Sequence, residues 1–201
     1  MLSTTSGSEF KRVPLFKGIK SIYFLILFFL IGFIFSSCKK DVNTTTSPPP
    51  APTCDQGCQD QYIASGFINI FWYIWNQNIA GQPGGNNDFT VSGPQGGSVH
   101  VTGTTSYEST HGINTLHLTI EMYSCKGIGD KYSLTFNGTI TADGTFSTTY
   151  KAITYACQQL SYEGTVGKDN WITDVNGTCP ITYNETLTTV TGTTCSRAFN
   201  Y

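Results

Sequence analysis

The chain has 201 residues and a formal net charge of −2, and from Cys38 onwards acidic side chains outnumber lysine and arginine. That balance excludes the strongly basic classes of protein, so we expect no nucleic acid and no anionic lipid surface as a charge-driven partner. The length fits one domain built around a single core.

The first segment has the layout of a secretory signal peptide. An apolar run from Ile22 to Phe35 is followed by two small residues and preceded by basic ones: Lys11, Arg12, Lys17 and Lys20. The basic segment stays on the cytoplasmic side while the apolar run enters the bilayer. Because the run is shorter than the roughly 20 apolar residues that span a bilayer, cleavage is favoured over an uncleaved anchor. We expect residues 1–37 to be removed.

The residues at the cleavage point carry a resemblance. Phe35-Ser36-Ser37-Cys38 resembles the lipobox of bacterial lipoproteins, with Phe35 where that motif prefers Leu. The resemblance implies that Cys38 is lipidated and that the membrane is reached through this lipid anchor. Lys39 and Lys40 follow, rather than an inner-membrane Asp signal, which implies the outer membrane. A Lys-Lys-Asp start is also similar to tethers that end on the cell surface.

Residues 38–53 read as a tether between the lipid and a folded domain. The segment is rich in Thr and Pro, contains three consecutive prolines at 48–50, and has Val42 as its one large apolar residue. Such a stretch cannot build a core, and polyproline extends by about 3.1 Å per residue. We expect a semi-rigid spacer, followed by a single β-rich domain over residues 54–201.

An even number of cysteines remains after Cys38. In an oxidising compartment they are disulfide candidates, and the sequence leaves their connectivity open: Cys54, Cys58, Cys125, Cys157, Cys179 and Cys195. The alternative is a metal site that uses the Cys54-x-x-x-Cys58 spacing and later cysteines.

The segment 60–79 is the one stretch with helical periodicity. Its apolar residues recur at spacings of three and four and fall on one side: Ile63, Phe67, Ile70, Phe71, Ile74 and Trp75. We predict a helix packed over a face or mouth of a sheet, with a long buried strand as the alternative. The Gly- and Pro-containing run Gly81–Asn86 should end it.

Beyond that run the sequence alternates with period two. Val99 and Val101 begin the pattern, and a second strand continues it over residues 114–123, which predicts antiparallel strands with one wet face. Residues 142–144 predict a three-residue hairpin loop that pairs Ile140 with Phe146. Further predicted strands cover residues 154–156, 160–166, 171–178, 181–187 and 190–195.

A short pattern ending in Gly-Thr recurs along these strands, with its glycines at Gly103, Gly138, Gly164, Gly177 and Gly192. Glycine inside a strand marks a bulge or bend that lets a sheet curl, although the same residues also suit ordinary turns. The predicted fold is mainly β: an antiparallel meander forming a barrel or half-barrel, with one N-terminal helix. A sandwich is the alternative.

No catalytic motif, phosphate-binding loop or calcium loop is present in the sequence, so we expect neither an enzyme nor a cofactor. The three histidines are the one constellation to weigh. A hairpin centred near residue 108 would place His100 opposite His117 with His111 in the loop, where cross-strand imidazoles could share zinc. Solvent-facing strand positions explain them more simply, because a catalytic zinc needs three converging ligands.

Aromatic residues make up 13% of the chain, and their rings could line a pocket for an apolar molecule or a sugar, or could simply form the core. The leading hypothesis is therefore a non-catalytic binding or carrier domain on a lipid anchor. A display or adhesion module that meets an envelope or glycan partner through its Thr-rich face is the second, and a zinc-dependent hydrolase is the third.

Overall fold

The computed structural model describes residues 53–168 and 171–201. The signal peptide, Cys38 and all but the last residue of the tether lie outside the described residues, so those predictions stay predictions. Among the residues described, no helix combines the length and hydropathy that a bilayer crossing needs.

The predicted helix is confirmed and begins earlier than expected. Helix α1 covers Gln56–Ile74 and continues as a π-helical stretch over Trp75–Ile79. Asp55 caps its start, where its carboxylate accepts the backbone N–H of Cys58 at 2.9 Å. The whole predicted apolar face is buried. The helical backbone rules out the alternative of a long strand.

Eight strands form one antiparallel sheet in which each strand pairs with the next along the chain. They are β1 Gly85–Ser92, β2 Ser98–Glu108, β3 Ile113–Gly129, β4 Tyr132–Phe146, β5 Lys151–Val166, β6 Thr173–Thr186, β7 Val190–Thr194 and β8 Arg197–Asn200. The predicted mainly β meander with one helix is confirmed. Among the described strands β1 and β8 are the free edges, so the sheet is open, as in a half-barrel, and not closed.

The recurring glycines lie inside strands, as one of the two interpretations predicted, and not in turns. Four of the five have positive φ, which only glycine adopts without strain. Register shifts also interrupt the pairing of β3 with β4 after Met122, of β4 with β5 after Asn137, and of β5 with β6 after Cys157. Bulges in successive strands bend a sheet, which explains how this one curls.

The predicted hairpin loop at residues 142–144 is wrong. Strand β4 runs through it, and the turn lies at residues 147–150, so Phe146 pairs with Lys151 and not with Ile140. Gly144 has a φ of 155°, and a Cβ there would collide with the carbonyl oxygen of Ala152 on the next strand. The glycine serves a close approach between strands, a role that its turn-like sequence context conceals.

Helix α1 occupies the buried face of the sheet and contacts strands β3, β4, β5, β7 and β8. Gly66 lets it come close, since a Cβ at that position would lie 3.2 Å from both Leu134 and Phe136. The largest completely buried side chains meet between helix and sheet, among them Phe67, Phe71, Tyr155 and Tyr183. The helix therefore fills the space in which a carrier barrel would hold its ligand.

Candidate functional site

The domain has two unlike ends. The end at which α1 begins carries the disulfides Cys54–Cys58 and Cys179–Cys195, and we call it the disulfide end. The end at which α1 finishes carries Trp72, Trp75 and Phe146, and we call it the aromatic end. Each end has an open cleft between the helix and the sheet.

The cleft at the aromatic end, named the aromatic cleft, has a volume of about 390 Å³. It is lined by Trp75, Ile79, Ala80, Gly81, Gln82, Gly84, Thr105, Ser106, Tyr107 and Asn114. The lining combines two aromatic rings with hydroxyl and amide groups and includes no charged side chain. An apolar cleft with a few polar groups is the usual form of a small-molecule site.

Strand register builds the rim of this cleft. Tyr107 pairs with Asn114, Asn114 pairs with Phe146, and Phe146 pairs with Lys151, so the four lie in one row across the sheet. Within this row, the Phe146 ring packs edge-on against Trp72 and Trp75 of the helix segment, with ring centroids 5.1 and 5.0 Å away. Tyr107 stands free at one end of the row, where 57% of the residue is exposed. The aromatic packing fixes the cleft wall, while its outermost ring stays available.

A buried carboxylate also joins the helix to the sheet at the aromatic end. Glu185 accepts hydrogen bonds from Lys151 Nζ at 2.7 Å, from the Tyr155 hydroxyl at 2.7 Å and from Trp72 Nε1 at 3.0 Å. The Lys151 ammonium also lies 4.2 Å from the centroid of the Trp72 ring. Burial and the Glu185 charge raise the pKa of Tyr155 well above its ordinary value, so this phenol stays a donor. Glu185, Lys151, Tyr155 and Trp72 thus all have hydrogen-bond partners, and together they form a brace between helix and sheet.

Glu185 was missed by the prediction of site residues, although the sequence contains a signal for it. Ile181, Tyr183 and Glu185 alternate along one strand and are all buried, so the period-two pattern places the carboxylate inside. A buried glutamate requires donors, which Lys151 and Tyr155 supply from the neighbouring strand.

The disulfide end is polar. Asp60, whose side chain is 1% exposed, accepts a two-point contact from Arg197 with distances of 2.9 and 2.8 Å. This pair ties α1 to β8 and borders a second cleft of about 350 Å³, whose lining includes Gln56, Gln59 and Arg197. An ion pair joins the helix to the sheet at this end, where both disulfides also lie, whereas ring packing and Glu185 join them at the other.

The cysteine prediction needs a correction. Four of the six candidates form two disulfides, but Cys125 and Cys157 are free and buried. Cys125 pairs with Phe136 and Cys157 with Ile181 in the sheet register, so neither faces a cysteine. Burial raises the pKa of Cys125 to about 11 and also raises that of Cys157. These thiols behave as small core residues.

The histidine prediction is also wrong in its register. His100 pairs with Glu121, and His117 pairs with Thr104, because the turn between β2 and β3 lies further along the chain. Each histidine contacts acids instead of another histidine: His100 contacts Asp88 and Glu121, His111 contacts Glu108, and His117 contacts Asp143. Among the described residues no group of three potential ligands is placed to hold a metal ion.

Comparison with protein-family models gives no match for this chain, and neither the curated proteins nor the solved structures contain a significantly similar one.

Proposed function

We propose that this chain is a lipid-anchored envelope lipoprotein whose folded domain binds a ligand, without catalysing its conversion, in the aromatic cleft. The observation that carries the proposal is the place where the helix leaves space against the sheet. Helix α1 fills the buried face of the sheet, and an open cleft with an exposed ring remains at its end. Binding at this end replaces the idea of a carrier with an internal chamber.

The position of the cleft suits a tethered protein. Residues that precede Cys54 join the domain at the disulfide end, where α1 begins. A helix of 19 residues is about 28 Å long, so the aromatic cleft lies about that far from the point of attachment. The residues that precede Cys54 therefore enter the domain at the end opposite to the aromatic cleft.

The anchor is tested by fractionating cells that express the full chain. Cys38→Ser should remove the protein from the outer-membrane fraction and abolish incorporation of labelled palmitate. The matched variant Ser37→Ala keeps a small residue before the cleavage point and should behave as wild type. Continued membrane association and labelling of the Cys38→Ser variant would refute lipid anchoring at this residue.

Binding is tested by thermal unfolding of the full chain, extracted in mild detergent, in the presence of fatty acids, amino acids, nucleotides, neutral oligosaccharides and metal salts. A ligand of the folded state raises Tm by mass action. At least one organic class should raise Tm for wild type and not for Tyr107→Ala. Equal stabilisation of both proteins, or stabilisation by none of the classes, would overturn a binding role for the aromatic cleft.

A display or adhesion role is the second candidate, favoured by the outer face of the sheet. Exposed threonines recur there on strands β1, β2, β4, β5 and β6: Thr90, Thr104, Thr139, Thr141, Thr154 and Thr182. Purified protein coated on beads should then adhere to cells, and replacing Thr139, Thr141 and Thr154 by Ala should reduce adhesion. Adhesion that survives this change but is lost with Tyr107→Ala would assign the contact to the cleft.

A further inference from the structure

We infer that the ligand of the aromatic cleft is a neutral glycan, an inference that rests on the binding function proposed above. Charge gives the first argument. None of the side chains that line the cleft is charged. The nearest cation in the row, Lys151, is already paired with Glu185 at 2.7 Å. A charged ligand would lose its hydration here without gaining a counter-charge, so the cleft disfavours it.

Hydrogen-bonding capacity gives the second argument. Gln82 and Asn114 contribute amides, and Ser106 and Tyr107 contribute hydroxyls, to the cleft lining. Within the described residues these four side chains make no hydrogen bond to other protein groups, and none of them is a buried unsatisfied group. Each can donate and accept, which matches the alternating capacity of sugar hydroxyls. A fatty acid would cover these groups without pairing them, which costs free energy.

The exposed ring gives the third argument. Tyr107 presents an apolar surface and a polar hydroxyl together at the open rim, with 57% of the residue exposed. A sugar ring also has an apolar C–H surface edged by hydroxyls, so one contact can satisfy both parts. The open cleft of about 390 Å³ beside Tyr107 therefore offers a sugar both kinds of contact.

The test is isothermal titration of the detergent-extracted full chain with neutral oligosaccharides of glucose, xylose and mannose, and with oligogalacturonate as the acidic counterpart. At least one neutral oligosaccharide should bind. Tyr107→Ala should weaken it about tenfold, equivalent to about 1.4 kcal/mol. Tyr123→Ala is the matched control, because Tyr123 is 55% exposed on the sheet but does not line the aromatic cleft. It should bind as wild type.

The outcomes separate this inference from the function on which it rests. Binding of oligogalacturonate alone, or of no oligosaccharide, overturns the neutral glycan. Neutral binding that Tyr107→Ala and Asn114→Ala leave unchanged overturns the site. A fatty acid or nucleotide that stabilises wild type but not Tyr107→Ala would refute the glycan and leave the proposed binding function standing. Circular dichroism of each variant checks that the fold is intact.

Discussion

The disulfide end and the aromatic end join the same helix to the open sheet through different side chains. At the disulfide end, Asp60 of α1 binds Arg197 of β8, while Cys54–Cys58 lies within the start of the helix and Cys179–Cys195 joins β6 to the turn after β7. The aromatic end has no disulfide among the described residues. There the helix is fastened by ring packing and by Glu185.

This contrast matters for function. A buried carboxylate joins α1 to the sheet at both ends, so polar anchoring by itself does not distinguish them. What differs is that the covalently closed end is polar, while the end without disulfides exposes aromatic and amide groups around a cleft. The aromatic end thus presents the ring and amide groups that a small ligand can contact, so we place the ligand there.

The largest expected loss of stability follows from replacing Glu185, which joins the helix to the sheet at the aromatic end. Glu185→Ala leaves the Lys151 ammonium, the Tyr155 hydroxyl and the Trp72 N–H without their shared acceptor. Breaking a buried pair in this way typically costs about 3 to 5 kcal/mol. Urea unfolding should show that loss in the free energy of unfolding.

Glu163→Ala provides the control, because Glu163 lies exposed on β5. Its effect should stay within about 0.5 kcal/mol, as for surface positions generally. If Glu185→Ala were as mild as Glu163→Ala, the aromatic end would owe its stability to ring packing alone.

The ion pair of the disulfide end should respond asymmetrically. Arg197→Ala leaves the Asp60 carboxylate buried and unpaired, which costs about 3 kcal/mol. Asp60→Ala leaves a guanidinium whose side chain is 41% exposed and can turn to water, so we expect about 1 to 2 kcal/mol. Urea unfolding of both variants measures the difference. Equal losses, or a larger loss for Asp60→Ala, would mean that burial of the acid does not set the energetics of this contact.

The two disulfides should contribute according to the chain they close. Cys179–Cys195 spans 16 residues and Cys54–Cys58 spans 4. In the chain-entropy model, loops of such lengths give about 3 and about 2 kcal/mol. Replacing each pair by two alanines and measuring urea unfolding tests the order. A larger loss for the short loop would show that Cys54–Cys58 acts mainly through native contacts at the helix start.

The fold was largely predictable because alternation and helical periodicity identify buried faces. The register of strand pairing was not predictable, and the β2–β3 hairpin shows why. Shifting it by an even number of residues keeps Val99 and Val101 buried, so the pattern cannot separate His100 opposite His117 from His100 opposite Glu121. Strand β1 was missed because its first residues, Gly85 and Asn86, are of types that usually form turns. The strand lies at an edge of the sheet.

The candidate cleft was less accessible to sequence reasoning than the fold. Its lining comes from the end of α1, the loop after it, and strands β2 and β3, which only the register brings together. Tyr107 looks like any other strand aromatic until its place at the end of a strand is known. Glu185 was accessible, because its buried position follows from alternation with Tyr183.

The smallest expected effect concerns His100, which fastens the edge strand β1 independently of either end. Its ring nitrogens face Asp88 at 2.9 Å and Glu121 at 3.4 Å, and the Asp88 hydrogen bond is the larger cause that raises the His100 pKa above 6.5. The contribution to stability is therefore complete below pH 6.5 and is lost as pH rises through the folded-state pKa. Between about pH 5.5 and about pH 8.5, urea unfolding should show a larger drop for wild type than for His100→Gln. Asp88→Asn should shrink that drop more than Glu121→Gln; the reverse order would make Glu121 the main partner of the imidazolium.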